Sequence, residues 1–197
     1  MKPFIKVFAL VAMFILGGSL DISAQTKKSN KTTKKVVVKK STAKSKVNHV
    51  SRSNVTYKKS SKKIKSVRNL PTKTVIKYKG SNYYYANQKY YTYSGGRYIS
   101  IAPKIGFKVT VLPSNYNRIA YNNRVFYNAD GIFYEQINNS YEVVDPEIGT
   151  VVTELPAEYE KVTIDGFTYY EYANILYEKI QVNGTRAYEV VGIVDMD

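Results

Sequence analysis

From residue 82 to the end, apolar and aromatic residues come in short runs separated by pairs of turn-forming residues. This is the pattern of short strands joined by tight hairpins. In the middle of the stretch the runs are 125–128, 132–136, 141–144, 150–155 and 159–164. They are broken at Asp130-Gly131, Asn138-Asn139, 145–149, 156–158 and Asp165-Gly166. Asp-Gly and Asn-Gly tolerate the positive φ angles of two-residue hairpins, so Asp165-Gly166 and Asn183-Gly184 are predicted turns. No window carries a 3.6-residue apolar period with helix caps. The expected fold class is all-β, built from tandem antiparallel β-hairpin repeats.

The runs recur. Tyr84, Pro103, Gly106, Leu112, Pro113 and Tyr116 reappear 43 positions later as Tyr127, Pro146, Gly149, Leu155, Pro156 and Tyr159. Tyr91, Tyr98 and Val109 likewise match Tyr134, Tyr141 and Val152. One more step leads from Tyr127 and Tyr134 to Tyr170 and Tyr177, but Tyr188 then lies four residues late and no further Leu-Pro follows. The expected organisation is β-repeat 1 over 82–123, β-repeat 2 over 124–166 and a partial β-repeat 3 over 167–197. Two and a half units cannot close a propeller ring, so small sheets or SH3-sized barrels packed in tandem are expected.

The first 24 residues have Lys2 and Lys6, an uninterrupted apolar run from Val7 to Leu16, and a small pair at Ser23-Ala24. That reads as a secretory signal peptide, too short in its apolar core to span a bilayer, and the mature chain is expected not to be transmembrane. Residues 25–81 are rich in Lys, Ser and Thr and are expected to form a disordered basic arm. Val36-Val37-Val38 and Thr74-Val75-Ile76 are its two candidate strands, the second leading into the folded part. The chain has no cysteine, which excludes a lipid-modified N-terminus, disulfides and thiol chemistry.

Charge is divided along the chain. Between Gln25 and Ala129 there are 25 Lys or Arg and no Asp or Glu, whereas from Asp130 to Asp197 there are 3 basic and 14 acidic residues. Such a dipolar chain attracts opposite halves of its own copies as well as other polyanions. An anionic envelope polymer or an acidic protein surface is the expected partner, with possible self-association. Few aromatics interleave the cations before Tyr78, so no specific nucleic acid is expected.

Val109-Thr110-Val111-Leu112-Pro113-Ser114-Asn115-Tyr116 and Val152-Thr153-Glu154-Leu155-Pro156-Ala157-Glu158-Tyr159, with paired tyrosines at Tyr90-Tyr91 and Tyr169-Tyr170, carry a resemblance. The chain resembles a family of exported Bacteroidetes proteins of unknown function with tyrosine-rich Val-x-x-Leu-Pro-x-x-Tyr repeats. The resemblance implies export and a repeat fold, and no activity.

Adjacent aromatics on a strand point to opposite faces, so Tyr83-Tyr84, Phe126-Tyr127 and Tyr169-Tyr170 each place one ring in a core. The other ring either fills a second packed layer or lies in solvent, where it could stack on a sugar. Tyr83, Phe126 and Tyr169 are the candidate binding surface. Asp145 with Glu147 and Glu158 with Glu160 could support carbohydrate processing or bind a metal. In the first copy these positions are Ala102, Lys104, Asn115 and Asn117, so the fold does not demand the charges. The only histidine, His49, falls in the arm. No enzyme activity and no cofactor are expected, and the leading expectation is an exported, non-enzymatic binding or structural module of the envelope.

Overall fold

A computed structural model describes residues 38–39, 48–58 and 65–195. The leader expected over 1–24 lies outside the described residues, as do 25–37, 40–47 and 59–64 of the expected arm. Two short strands, β1 (Val38–Lys39) and β2 (His49–Ser51), a 3-10 turn at Arg52–Asn54, and β3 (Thr56–Tyr57) come first. Three homologous units follow. Unit 1 comprises β4 (Ser66–Val67), β5 (Thr74–Tyr78), β6 (Ser81–Ala86), β7 (Lys89–Ser94) and β8 (Arg97–Ile101). Unit 2 comprises β9 (Lys108–Val109), β10 (Asn117–Tyr121), β11 (Arg124–Ala129), β12 (Ile132–Ile137) and β13 (Ser140–Val143). Unit 3 comprises β14 (Val151–Val152), β15 (Glu160–Ile164), β16 (Phe167–Tyr172), β17 (Ile175–Val182) and β18 (Thr185–Asp195). The fold is all-β, as expected.

Each unit is an antiparallel meander of four strands whose short leading strand returns to pair with the last: β4 with β8, β9 with β13, β14 with β18. The Leu-Pro corner between the leading strand and the meander makes this return possible, because proline ends the ladder and turns the chain. Two-residue turns join the meander strands. At Asn87-Gln88, Asp130-Gly131 and Asp165-Gly166 both residues have positive φ, the conformation whose twist matches that of the flanking strands.

Strand alternation gives each unit two faces. The front face carries the cross-strand pairs Tyr84–Tyr91, Tyr127–Tyr134 and Tyr170–Tyr177 in units 1, 2 and 3. The rear face carries Ile76–Tyr83, Ile119–Phe126 and Val162–Tyr169. The units stack rear to front. Tyr83, Tyr85 and Tyr90 from the rear of unit 1 pack with Tyr127, Tyr134 and Val143 from the front of unit 2. Phe126 and Phe133 from the rear of unit 2 pack with Tyr177, Tyr188 and Val190 from the front of unit 3. The rear of unit 3 (Val162, Ile164, Tyr169, Leu176) is covered by Val50 and Val55, with Tyr57 beside them. Each large ring removed from water contributes about 1.5–3 kcal/mol, so these layers hold the stack together. Leu112 and Leu155 sit in equivalent places, each in the layer between its own unit and the preceding one.

Two boundaries differ from expectation. Residues 48–58 and 65–81, assigned from composition to a disordered arm, form strands: β2 and β3 cap unit 3, and β4 and β5 belong to unit 1. Leu70 is fully buried there, and Val67-Arg68-Asn69-Leu70-Pro71 is a further copy of the corner, 42 rather than 43 residues before Leu112 and without its tyrosine. The third repeat is also complete rather than partial, with the longest strands of the three. Sequence windows starting at 82, 124 and 167 begin at the second meander strand. A repeat has no phase of its own, and the closing pair of the short strand sets it.

Candidate functional site

The structure places the three rings proposed as a binding surface in the rear faces, where they serve as packing. Phe126 and Tyr169 are fully buried, and neither can meet a ligand. Tyr83 is half-buried with its ring 4.9 Å from that of Phe107. The second packed layer is the outcome, because each rear face meets a following unit or, in unit 3, the N-terminal cap.

The exposed aromatic surface is in the other register, on the front of unit 1. Val75, Tyr84, Tyr91 and Ser100 line up across its four meander strands, and Tyr93 opposes Tyr98, which opposes Val67. In units 2 and 3 the centre of the corresponding face lies under a preceding unit; here the Leu70 corner covers Tyr91 and Ala86, and among the described residues no further unit lies over the rest. Tyr93 is 54% exposed and Val75 51%. The rings form a stripe, Tyr84 to Tyr98 at 5.0 Å and Tyr98 to Tyr93 at 4.9 Å, over a small patch of Leu70, Ala86 and Tyr91. Lys73 Nζ lies 5.3 Å from the Tyr98 ring centre, and Lys77 shares the face and is exposed.

One substitution places a charge at the edge of this face. Where units 2 and 3 bury Ile132 and Ile175 under the preceding unit, unit 1 has Lys89. Its ammonium pairs with Glu158 from the corner of unit 3, which also holds Lys65 Nζ at 2.6 Å. Burial would raise the Glu158 pKa, but the hydrogen bonds and charges of the two lysines prevail and lower it to about 2. Glu158 is therefore a clamp between units 1 and 3 and remains ionised.

Of the other carboxylates considered from sequence, Glu147 is paired and Asp145 is half-buried. Glu147 accepts from Asn122 Nδ2 at 3.0 Å and lies 3.4 Å from Arg124 Nη1, whose Nε reaches Glu135 at 2.6 Å. Asp145 has its pKa raised, chiefly by burial, with His49 opposing and Asp195 adding to the shift. His49, on β2, lies with Nδ1 2.9 Å from Asp195 Oδ1. Among the described residues no three His, Asp or Glu side chains form a group that could hold a metal ion. A polar cleft of about 460 Å³ between units 2 and 3 is lined by Asn115, Asn117, Asn128, Asp130, Leu155 and Pro156. Burial raises the Asp130 pKa, with Lys89 opposing.

The profile of a family of unknown function, DUF6515, matches residues 54–194, and the chain belongs to that family. The matched span takes in β3 and all three units, so the family unit is the whole stack. No curated protein and no solved structure matches the chain. Among the described residues no helix is long and apolar enough to cross a membrane.

Proposed function

We propose that this DUF6515 protein is an exported, non-enzymatic binding and structural module of the cell envelope, in which a rigid stack of aromatic β-units carries a cationic end that holds an anionic polymer. The placement of charge carries this reading. Unit 1 and the chain before it, from Gln25 onward, contain no carboxylate. Lys73, Lys77, Lys79 and Lys104 of unit 1 and its following turn are exposed, whereas Glu135, Glu142, Glu147 and Glu158 in units 2 and 3 are each paired with a cation. Four glutamates of the acidic half are thus held by cations of the basic half, and the exposed lysines of unit 1 leave that end with net positive charge.

The leader-like residues 1–24 and the likeness to exported Bacteroidetes proteins support a periplasmic or cell-surface location. An acidic protein surface, including that of a second copy, offers the same charge to the same cations. The engagement of Glu147 and Glu158 in ion pairs weighs against carbohydrate processing by these carboxylates.

Binding of the full mature chain to polyphosphate, followed across a salt series, tests the reading. Affinity is expected to fall steeply as salt rises, and replacing Lys27, Lys28, Lys31, Lys34 and Lys35 by Gln is expected to flatten that slope. Salt-independent binding, or none at low salt, would refute it. Light scattering over the same series reports self-association as a mass that decreases with ionic strength.

A further inference from the structure

We infer that the open front face of unit 1 is a binding site for an anionic polysaccharide, with sugar rings seated on the stripe of Tyr84, Tyr98 and Tyr93 and their acidic groups paired to Lys73 and Lys77. The inference rests on the polyanion reading above and gives it a location and a ligand class.

The internal repeat supplies a comparison within one molecule. The same face in units 2 and 3 is covered at its centre, where Tyr134 and Tyr177 are fully buried, while the positions equivalent to Val75 and Tyr93 are exposed there too and carry Arg118 and Gln136 or Lys161 and Lys179. Unit 1 keeps the tyrosines at Tyr84, Tyr91 and Tyr98 and adds Tyr93, where units 2 and 3 have Gln136 and Lys179. It replaces the buried isoleucine of the interface by Lys89 and puts the apolar Val75 and Tyr93 at positions that are exposed and polar in the other two units. A terminal unit that needed only solubility would exchange its outer aromatics for polar residues. This one retains the rings and sets two ammonium groups, Lys73 and Lys77, on the same side.

Ring and charge together select the ligand. A flat phenol ring offers an apolar surface to the C–H face of a sugar and a hydroxyl to its rim. Two exposed lysines answer carboxylate or sulfate groups along the polymer. Successive ring centres lie about 5 Å apart, with Tyr98 edge-on to Tyr84 (84°) and tilted against Tyr93 (54°), so the stripe is an open, stepped surface rather than a closed pocket, and Tyr93 is its most exposed ring. Lys89 does not take part, because Glu158 already occupies its ammonium. The lysines also oppose a second copy docking by the same face, since like charges would meet.

The test compares three probes on the full mature chain: polygalacturonate, which has rings and charge, polyphosphate, which has charge alone, and dextran, which has rings alone. Polygalacturonate is expected to bind more tightly than polyphosphate at equal charge, and dextran weakly or not at all. Tyr93→Ala is expected to weaken polygalacturonate about fivefold to tenfold while leaving polyphosphate and the melting temperature unchanged. Lys73→Gln with Lys77→Gln is expected to weaken polygalacturonate and flatten its salt dependence. If Tyr93→Ala leaves polygalacturonate affinity intact, the assigned site is wrong while polyanion binding stands. If neither polyanion binds, both readings fail. If Tyr93→Ala instead halves a dimer mass in light scattering, the face belongs to a second copy and the polysaccharide assignment is overturned.

Discussion

The hydroxyl of Tyr134 donates to the hydroxyl of Tyr90 at 2.9 Å, inside the layer where the rear of unit 1 meets the front of unit 2. It is a polar contact between two rings that are otherwise fully packed, and it pins the lateral register of the two sheets. Burial raises the pKa of both, that of Tyr90 to about 12, with the Tyr134 hydrogen bond opposing.

Removing that hydroxyl should loosen the first interface. Tyr134→Phe leaves the Tyr90 hydroxyl without its buried partner and should lower stability by about 1 kcal/mol, with Tyr90→Phe adding little on that background. Urea unfolding of the two single variants and the double variant measures the coupling; additive losses would show that the contact contributes nothing.

The same burial sets the alkaline behaviour. The pKa values of Tyr90, Tyr134, Tyr172 and Tyr177 are all raised, chiefly by desolvation, whereas unfolded phenols titrate near 10. Below pH 10 both states are protonated and their contribution is fully present; above it the unfolded chain loses protons that the folded one keeps. Stability should therefore fall as pH rises from 10 toward 12. Chemical unfolding at several alkaline pH values checks the slope, which should be shallower in Tyr90→Phe.

Glu158 works in the opposite direction. Its folded pKa of about 2 lies below the ordinary value of 4.5, so the contribution is present above pH 4.5 and is lost as pH falls toward 2. Glu158→Gln should cost about 1 kcal/mol at neutral pH, a modest figure because the Lys65 end of the clamp is largely in solvent. The variant should show less acid sensitivity between pH 4.5 and 2 than the parent, measured by thermal melts.

Gly131 shows how closely the units approach. A Cβ there would lie 2.6 Å from Pro156 Cγ and 2.7 Å from Tyr172 Cδ1, on a backbone with φ of 78°. Gly131→Ala should destabilise by about 1–3 kcal/mol, whereas Gly166→Ala, with similar φ but open space around it, should lose less. The difference between the two melts isolates the contact from the backbone term.

Rings in the two registers should respond differently to truncation. Phe126→Ala empties a fully buried position and should cost about 3–5 kcal/mol, while Tyr93→Ala removes a half-exposed ring and should leave the melt nearly unchanged. Equal losses at the two positions would contradict the assignment of rear and front faces.

The hairpins were legible because their signals are local. Asp165-Gly166 and Asn183-Gly184 form turns where the dipeptides predict them, and β5 begins at Thr74 as the β-branched run suggests. The first Leu-Pro corner was harder to see, since Leu70-Pro71 is one residue out of step and sits among lysines that made 25–81 look like a solvated arm. Its Val-x-x-Leu-Pro spacing was the available signal. The cap formed by Val50, Val55 and Tyr57 had no comparable mark, because isolated apolar residues in a polar stretch show no period.

The chain alone determined the all-β class, the duplicated unit, the tight turns and the division of charge, since each depends on residues close in sequence or on a regular offset. Tertiary structure decided which ring of each tyrosine pair is enclosed and where a unit begins. Tyr83 and Tyr84 are chemically alike, and alternation says only that they point apart; what encloses Tyr83 is supplied by Phe107 and by unit 2, 24 and more residues further along the chain. For the same reason the open face of unit 1 is visible only once the other two have been covered.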